Sequence, residues 1–476
     1  MNNEELILAR LFKKWSEEEP TSIVALPGSG SYRRYYRIAG SSKTAMGVYN
    51  NNLKENLAFL SFTAAFHQIG FPVPAIYSAE PNQGFYLLQD LGDVTLFGLI
   101  EKQRKSTHDF SSEILEIYQK VIRWLPLFQV TGSSLLDYSL CYPRAVFDRQ
   151  SMMWDLNYFK YYFLKLAKVS FDEQNLEDDF ESLSDFLLRA DSNYFMYRDF
   201  QSRNIMLYDG EPWFIDYQGG RKGSLQYDIA SLLYDAKAAI PEQLREKLLN
   251  DYLDALGKQI PVDRKEFIGF YYGFVLIRIL QALGAYGFRG YYENKPHFLK
   301  SIPFAVQNLI FLLNNDLIPS GLPALTNVLQ EITTGSKFVH PEINQSNLAV
   351  SIFSFSYKKL LPEDPGGNGG GFVFDCRALP NPGKIDEFKP LTGRDQSVID
   401  FFKRELAVDE FLNHAFSLVD QSVKRYIDRD FSSLMVSFGC TGGQHRSVYC
   451  AEELASHLKA KFPLQINLFH NEISKK

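Results

Sequence analysis

Apolar and polar positions repeat with two different periods along this chain, and the changes of period divide it. Residues 1–20 space their apolar side chains as a helix does. Residues 21–50 (TSIVALPGSGSYRRYYRIAGSSKTAMGVYN) alternate around glycine turns, which predicts three antiparallel strands. A helix is expected over 53–69, ending near Gly70. FPVPAIYSAEPNQGFYLLQDLGD then supplies two more strands behind a proline-bounded entry. From 96 to 190 the spacing is close to 3.6, as in Ile114, Ile117, Val121 and Leu125. Two short strands around 203–217 precede a helical stretch over 225–315 that continues to about 332.

TTGSKFVHPEINQSN is polar and aperiodic, which places a linker at 333–347. Beyond it the pattern changes. LAVSIFSFSY and GFVFDCRAL read as strands on either side of PEDPGGNGGG, followed by helices at about 395–428. The strand SSLMVSFG, a helix from about 445 and a last strand, PLQINLF, complete the chain. Strands alternating with helices predict a small α/β domain over 348–476.

Length agrees with this division, because 476 residues exceed what one hydrophobic core supports. A net charge of −6 argues against a broadly cationic nucleic-acid binder. Cys141, Cys376, Cys440 and Cys450 are scattered without a CxxC pair, so neither a zinc site nor a disulfide framework is expected. The first residues, MNNEELILARLFKKW, form an amphipathic pattern with acids and bases rather than a signal peptide. No apolar run approaches the ~20 residues needed to span a bilayer, so a cytoplasmic protein is expected.

The chemistry concentrates in YRDFQSRNIMLYDGEPWFID, residues 197–216. Asp199 is followed five positions on by Asn204 and later by Asp216, with apolar runs between them. Phosphoryl transfer needs one carboxylate at the acceptor hydroxyl and oxygen ligands for Mg²⁺. Asp199 is the candidate base, and Asn204 and Asp216 are the candidate metal ligands. Gly28, Ser29, Gly30 and Ser31 lie between the first two strands, where backbone N–H groups can approach phosphates. Asp228 opens an apolar helix, either as its N-cap or as a brace for the catalytic loop through its backbone or Arg198.

On these residues the chain to about 332 resembles the aminoglycoside phosphotransferase/choline kinase family, and within it the anomeric amino-sugar kinases. The resemblance implies an α+β bilobal protein-kinase-like domain, with a small lobe over 1–95 and a large lobe over 96–332. It implies ATP and Mg²⁺ as cofactors and a sugar hydroxyl as acceptor, the anomeric one of an N-acetylhexosamine. FYLLQDLGDVTL (85–96) resembles the segment joining the lobes, so backbone near Gln89 and Leu91 should face adenine. The helix with Glu55 should pack on the nucleotide lobe. Arg144, Asp148 and Asp155 are the implied sugar contacts. The family places a lysine in the third strand, but here that strand reads TAMGVYN, with Met46 near the expected position. Arg33 or Arg34 is the candidate substitute, and a catalytically inactive nucleotide sensor is the alternative.

A second constellation is Cys440-Thr441-Gly442-Gly443-Gln444-His445-Arg446-Ser447, after a strand and opening a helix. Strand, glycine loop and helix N-terminus make an anion site, to which Arg446 adds a bidentate donor and His445 a charge when protonated. The same string reads Cys-x5-Arg-Ser, the pattern of cysteine-based phosphatases, with Asp375 or Asp395 available as general acid. The longer segments FVFDCRALPNPGKIDEFKPLTGRD (372–395) and GCTGGQHRSVYCAEELASHL (439–458) resemble the C-terminal domain of the RapZ RNase adapter family. That resemblance implies a pocket for a phosphorylated amino sugar such as glucosamine 6-phosphate, with Arg377 and Arg394 nearby. RNA binding in that family depends partly on a basic tail. The end here, LFHNEISKK, carries few charges, which weighs against RNA as a partner. Oligomeric state is left open.

Overall fold

The computed structural model describes residues 2–27, 33–104, 110–293, 295–335, 338, 346–367, 369–429, 431–462 and 464–473. The chain forms two compact units, Met1–Val339 and His340–Lys476. Most of the expected linker, 333–347, lies outside the described residues.

The first unit opens with helix α1 (Asn3–Ser16). Asn2 and Glu5 satisfy each other's backbone N–H groups in a capping box at its start. Strands β1 (Ser22–Ala25), β2 (Arg34–Ala39), β3 (Thr44–Tyr49), β4 (Ile76–Glu80) and β5 (Phe85–Leu88) make an antiparallel sheet in the order β1-β2-β3-β5-β4. Helix α2 (Leu53–Gln68) sits between β3 and β4 in sequence. The period of two explains how one sheet serves two cores. Phe85 and Leu87 pack with Leu8, Leu11 and Phe12 of α1, while Tyr86 and Leu88 face the opposite way, toward Phe59, Phe62 and Phe66 of α2. Each such side chain contributes about 1.5–3 kcal/mol on full burial.

The large lobe is mainly helical: α3 (Leu96–Arg104), α4 (Ser112–Pro126), α5 (Arg149–Phe159), α6 (Glu173–Leu187), α7 (Gln226–Leu233), α8 (Glu242–Leu256), α9 (Arg264–Gly287), α10 (Pro296–Leu299), α11 (Ile302–Asn314) and α12 (Pro323–Thr334). On α4, Ile114, Val121 and Leu125 are buried and Ile117 is half-buried, as the helical spacing predicts. Four short strands lie between α6 and α7. β6 (Tyr194–Met196) pairs with β9 (Arg221–Gly223), and β7 (Ile205–Tyr208) pairs with β8 (Glu211–Phe214). Only the inner pair was expected, since three-residue strands carry too little alternation to read.

One helical stretch, Arg264–Tyr292, is long and apolar enough by composition to cross a membrane, contrary to the sequence expectation. It is a core helix: 67% of its apolar window is buried in the protein.

In the second unit, β10 (Ser346–Ser356), β11 (Phe372–Asp375), β12 (Ser433–Cys440) and β13 (Leu464–His470) form a parallel sheet in the order β11-β12-β10-β13. Helices α13 (Gln396–Phe402), α14 (Leu406–Asp428) and α15 (Arg446–Lys461) connect these strands. The residues at the strands' carboxyl ends (Ser356, Asp375, Cys440 and His470) therefore share one edge, where ligand crevices form in such sheets.

Candidate functional site

A cavity of about 780 Å³ in the first unit is lined by residues of both lobes. Its apolar walls include Met46 of β3, Leu88 of β5, Met206 of β7 and Ile215, with Gln89 and Leu91 of the connecting segment beside them. Asp199, Asn204 and Asp216 line the same cavity. The Asn204 side-chain amide donates to the Asp199 carbonyl at 2.8 Å and to Asp216 Oδ2 at 3.4 Å, so one residue ties the two carboxylate positions together.

The loop carrying Asp199 is held from behind. The Asp228 carboxylate accepts from the backbone N–H groups of Tyr197 (2.8 Å) and Arg198 (2.9 Å) and from Gln129 (3.2 Å). Complete burial pushes this carboxyl up to about 7, against the opposing effect of those donors. Arg198 has φ +80 and Asp216 φ +70, left-handed values that non-glycine residues adopt only when surrounding contacts hold them. The Arg198 guanidinium is fixed by Asp155 (2.6 Å), the Tyr227 hydroxyl (2.6 Å) and the Phe147 face.

Arg33, immediately before β2, is buried. It pairs with Glu55 of α2 at 2.7 Å and with Asp216 at 3.1 Å. A cation from the start of β2 thus occupies the cleft that Met46 of β3 also lines. Arg34 instead pairs with Glu4, and Lys43 donates to the Ser16 carbonyl at 3.0 Å. Gln218 donates to Asp216 from its amide nitrogen, while its buried Oε1 has no hydrogen-bond partner among the described residues. Asp216, Asn204 and that orphaned oxygen form a hard donor set suited to a divalent cation such as Mg²⁺.

In the second unit, Cys440 ends β12 and its Sγ accepts from Gly443 N–H at 3.1 Å and lies 3.2 Å from the Ser447 hydroxyl. Burial pushes the thiol up, but Ser447 and the N–H groups of Ser447, Gly443 and Gly442 outweigh it and hold the thiol below its ordinary value. Gly443 has φ +68, and a Cβ there would sit 2.4 Å from Glu472 Cγ, so this turn requires glycine. The loop is strapped to the segment before α13. His445 Nε2 meets the Phe388 carbonyl at 2.8 Å, and Arg446 donates to the carbonyls of Arg377 (2.8 Å) and Leu379 (3.2 Å). Thr441 and Gly442 are exposed at the loop's tip. Arg377 pairs with Asp375 at 2.7 Å, and Arg394 with Glu452 at 3.0 Å.

Residues 22–266 match the phosphotransferase enzyme family, and residues 348–474 match the RapZ C-terminal domain. The chain belongs to the phosphotransferase enzyme family. Curated relatives of the second part include a nucleotide-binding protein of Fervidobacterium nodosum, 36% identical over 132 residues (28% of this chain, 45% of that one), and one of Thermotoga neapolitana, 42% identical over 118 residues (25% and 40%). The chain therefore spans less than half the length of these relatives. Among solved structures, a choline kinase from Cryptosporidium parvum is 15% identical with a TM-score of 0.44, covering 68% of this chain and 99% of its own. An ethanolamine kinase of Plasmodium vivax is 12% identical with a TM-score of 0.43, covering 60% and 81%.

In this phosphotransferase the cavity gathers Asp199, Asn204, Asp216, Arg33, Gln89 and Leu91. Gly28, Ser29, Gly30 and Ser31 lie outside the described residues. Arg144, Asp148 and Asp155 do not line the cavity. Arg144 and Asp148 bond to each other at 3.0 Å, Asp148 also caps α5, and Asp155 is taken by Arg198. The polar residues that do line the large-lobe side include Arg203, Asp235, Lys237, Arg278, Gln281 and Arg289. The available signal was Arg278 and Gln281, polar interruptions three apart in the apolar run GFVLIRILQALGAYG.

Proposed function

We propose that the first unit transfers the γ-phosphate of ATP to a sugar hydroxyl, the anomeric one of an N-acetylhexosamine. The second unit binds an amino-sugar phosphate at the Thr441–Ser447 loop. The convergence of Asp199, Asn204 and Asp216 on one cavity, with Arg33 bridging Glu55 and Asp216, carries this reading. Asp199 orients the acceptor hydroxyl and accepts its proton. Asp216, Asn204 and Gln218 would hold Mg²⁺, which when bound neutralises charge on the phosphates. Arg33 supplies the cation whose absence from β3 suggested an inactive nucleotide sensor. Leu91, Gln89 and the apolar walls suit a purine ring. The protein is assigned to the cytoplasm.

For the phosphatase alternative in the second unit, neither candidate general acid is favoured by its surroundings. The Asp375 carboxyl is lowered chiefly by Arg377, and that of Asp395 chiefly by the Thr392 N–H and hydroxyl, so both favour the ionised form. A steady-state assay of ATP consumption over N-acetylhexosamines, with the product's phosphate position read by NMR, tests the kinase reading. Mg²⁺-dependent turnover yielding a sugar 1-phosphate is expected, and absence of turnover across the panel would return the chain to the sensor class. Calorimetry with glucosamine 6-phosphate tests the second unit, where loss of binding in Arg446→Gln is expected.

A further inference from the structure

We propose that Cys440 and Cys376 form a peroxide-sensitive thiol pair, whose disulfide unmakes the anion loop of the second unit. The pairing stands on the geometry of that unit, and only its effect on a ligand rests on the sugar-phosphate reading. Three of the chain's four cysteines, Cys376, Cys440 and Cys450, belong to one buried cluster. β11 and β12 run parallel with Asp375 opposite Gly439, so Cys376 and Cys440 are the next residues along neighbouring segments. Two residues earlier, Phe374 and Phe438 stack at 5.2 Å. A period of two carries Cys376 and Cys440 to that same face. Neighbouring strands lie about 4.8 Å apart, within the roughly 4.4–6.8 Å between Cα atoms that a disulfide spans.

The two thiols differ as an attacking and a resolving cysteine must. Burial raises the Cys440 thiol, but Ser447 and the loop's N–H groups outweigh it and favour the thiolate. Burial pushes the Cys376 thiol well up, and the Cys450 and Cys440 sulfurs add to it, so Cys376 keeps its proton. Thr441 and Gly442 beside Cys440 are exposed, so a local opening of the loop admits a small oxidant to the sulfur. The Cys440 thiolate attacks one oxygen of hydrogen peroxide. An S–O bond forms, the O–O bond breaks and hydroxide leaves, which oxidises the sulfur to a sulfenic acid and reduces the peroxide. The Cys376 sulfur then attacks the sulfenyl sulfur. The S–S bond forms, the S–O bond breaks, and the departing hydroxide takes the Cys376 proton as water. This disulfide draws Cys440 Sγ away from the Gly443 N–H (3.1 Å) and the Ser447 hydroxyl (3.2 Å), the contacts that hold the turn under the loop.

The test treats the full chain with hydrogen peroxide and maps its peptides without reductant. A bridge joining Cys376 to Cys440 is expected, reversed by dithiothreitol. Cys440 should react before Cys141, a half-buried thiol that burial pushes up to about 11. In C376S the resolving sulfur is gone, so dimedone should label Cys440 as a sulfenic acid, while C450S should form the bridge as the wild type does. Calorimetry with glucosamine 6-phosphate should show about tenfold weaker binding after oxidation, restored by dithiothreitol. The wild-type peptide map decides the pairing even if C376S melts early. Oxidation of Cys141 ahead of Cys440, a bridge to Cys450 instead, or no bridge in the folded protein would overturn the pair. Bridged protein that binds the sugar phosphate as tightly as the reduced form would overturn its effect on the loop. A reduced chain that fails to bind glucosamine 6-phosphate would count against the sugar-phosphate reading alone, with the thiol pair still decided by the map.

Discussion

The cleft of the first unit and the loop of the second both suit anions, yet they are built in opposite ways. The cleft assembles side chains from distant segments, Arg33, Glu55, Asp199, Asp216 and Arg278, with charge balancing charge. The loop is one continuous stretch in which backbone N–H groups, a glycine turn and a helix start provide the polarity. Side-chain sites can be retuned one residue at a time and depend on the packing that brings the segments together. A backbone site depends on local conformation and is lost when the turn is lost.

Four experiments sharpen that contrast. The largest effect is expected at Asp199: Asp199→Ala should cut kcat by about a thousandfold or more while nucleotide binding, followed by fluorescence titration, persists. Arg33→Met should lower kcat/KM by about a hundredfold, with Arg33→Lys restoring part of it in the same assay. Asp228→Asn should destabilise the protein by about 1–3 kcal/mol in urea melts, since one amide oxygen cannot serve both loop N–H groups. This carboxyl is raised on folding from its ordinary value of 3.8 to about 7, so the native state binds more protons across that range. Stability attributable to Asp228 therefore falls as pH rises through that window, and the wild type's advantage over Asp228→Asn should shrink from pH 4 to pH 7. The smallest effect on stability is expected at Gly443→Ala, about 1–2 kcal/mol by thermal melt, yet it should abolish sugar-phosphate binding without touching ATP turnover.

The same contrast explains what was legible in the chain. The Cys440–Ser447 loop and the Asp199–Asp216 segment are short and contiguous, so their members stand together already in the sequence. The cleft's remaining residues are set by tertiary packing. The arginine beside Asp216 was sought as a lysine on β3, but the fold delivers a cation from the start of β2. Arg144 and Asp148 had suitable chemistry for a sugar, yet four residues apart they find each other first. Arg278 was hidden because its helix reads as core, and only its placement in the same folded cavity as Asp199 gives it chemical meaning. The sheets were legible wherever alternation ran for four residues or more, and β6 and β9 fell below that length.

Arg33 touches a helix of the small lobe and a carboxylate of the large lobe through a single guanidinium. Moving the two lobes apart would strip Asp216 of its partner in the same motion that opens the door to solvent. One side chain thereby links the width of the cleft to the pairing of Asp216.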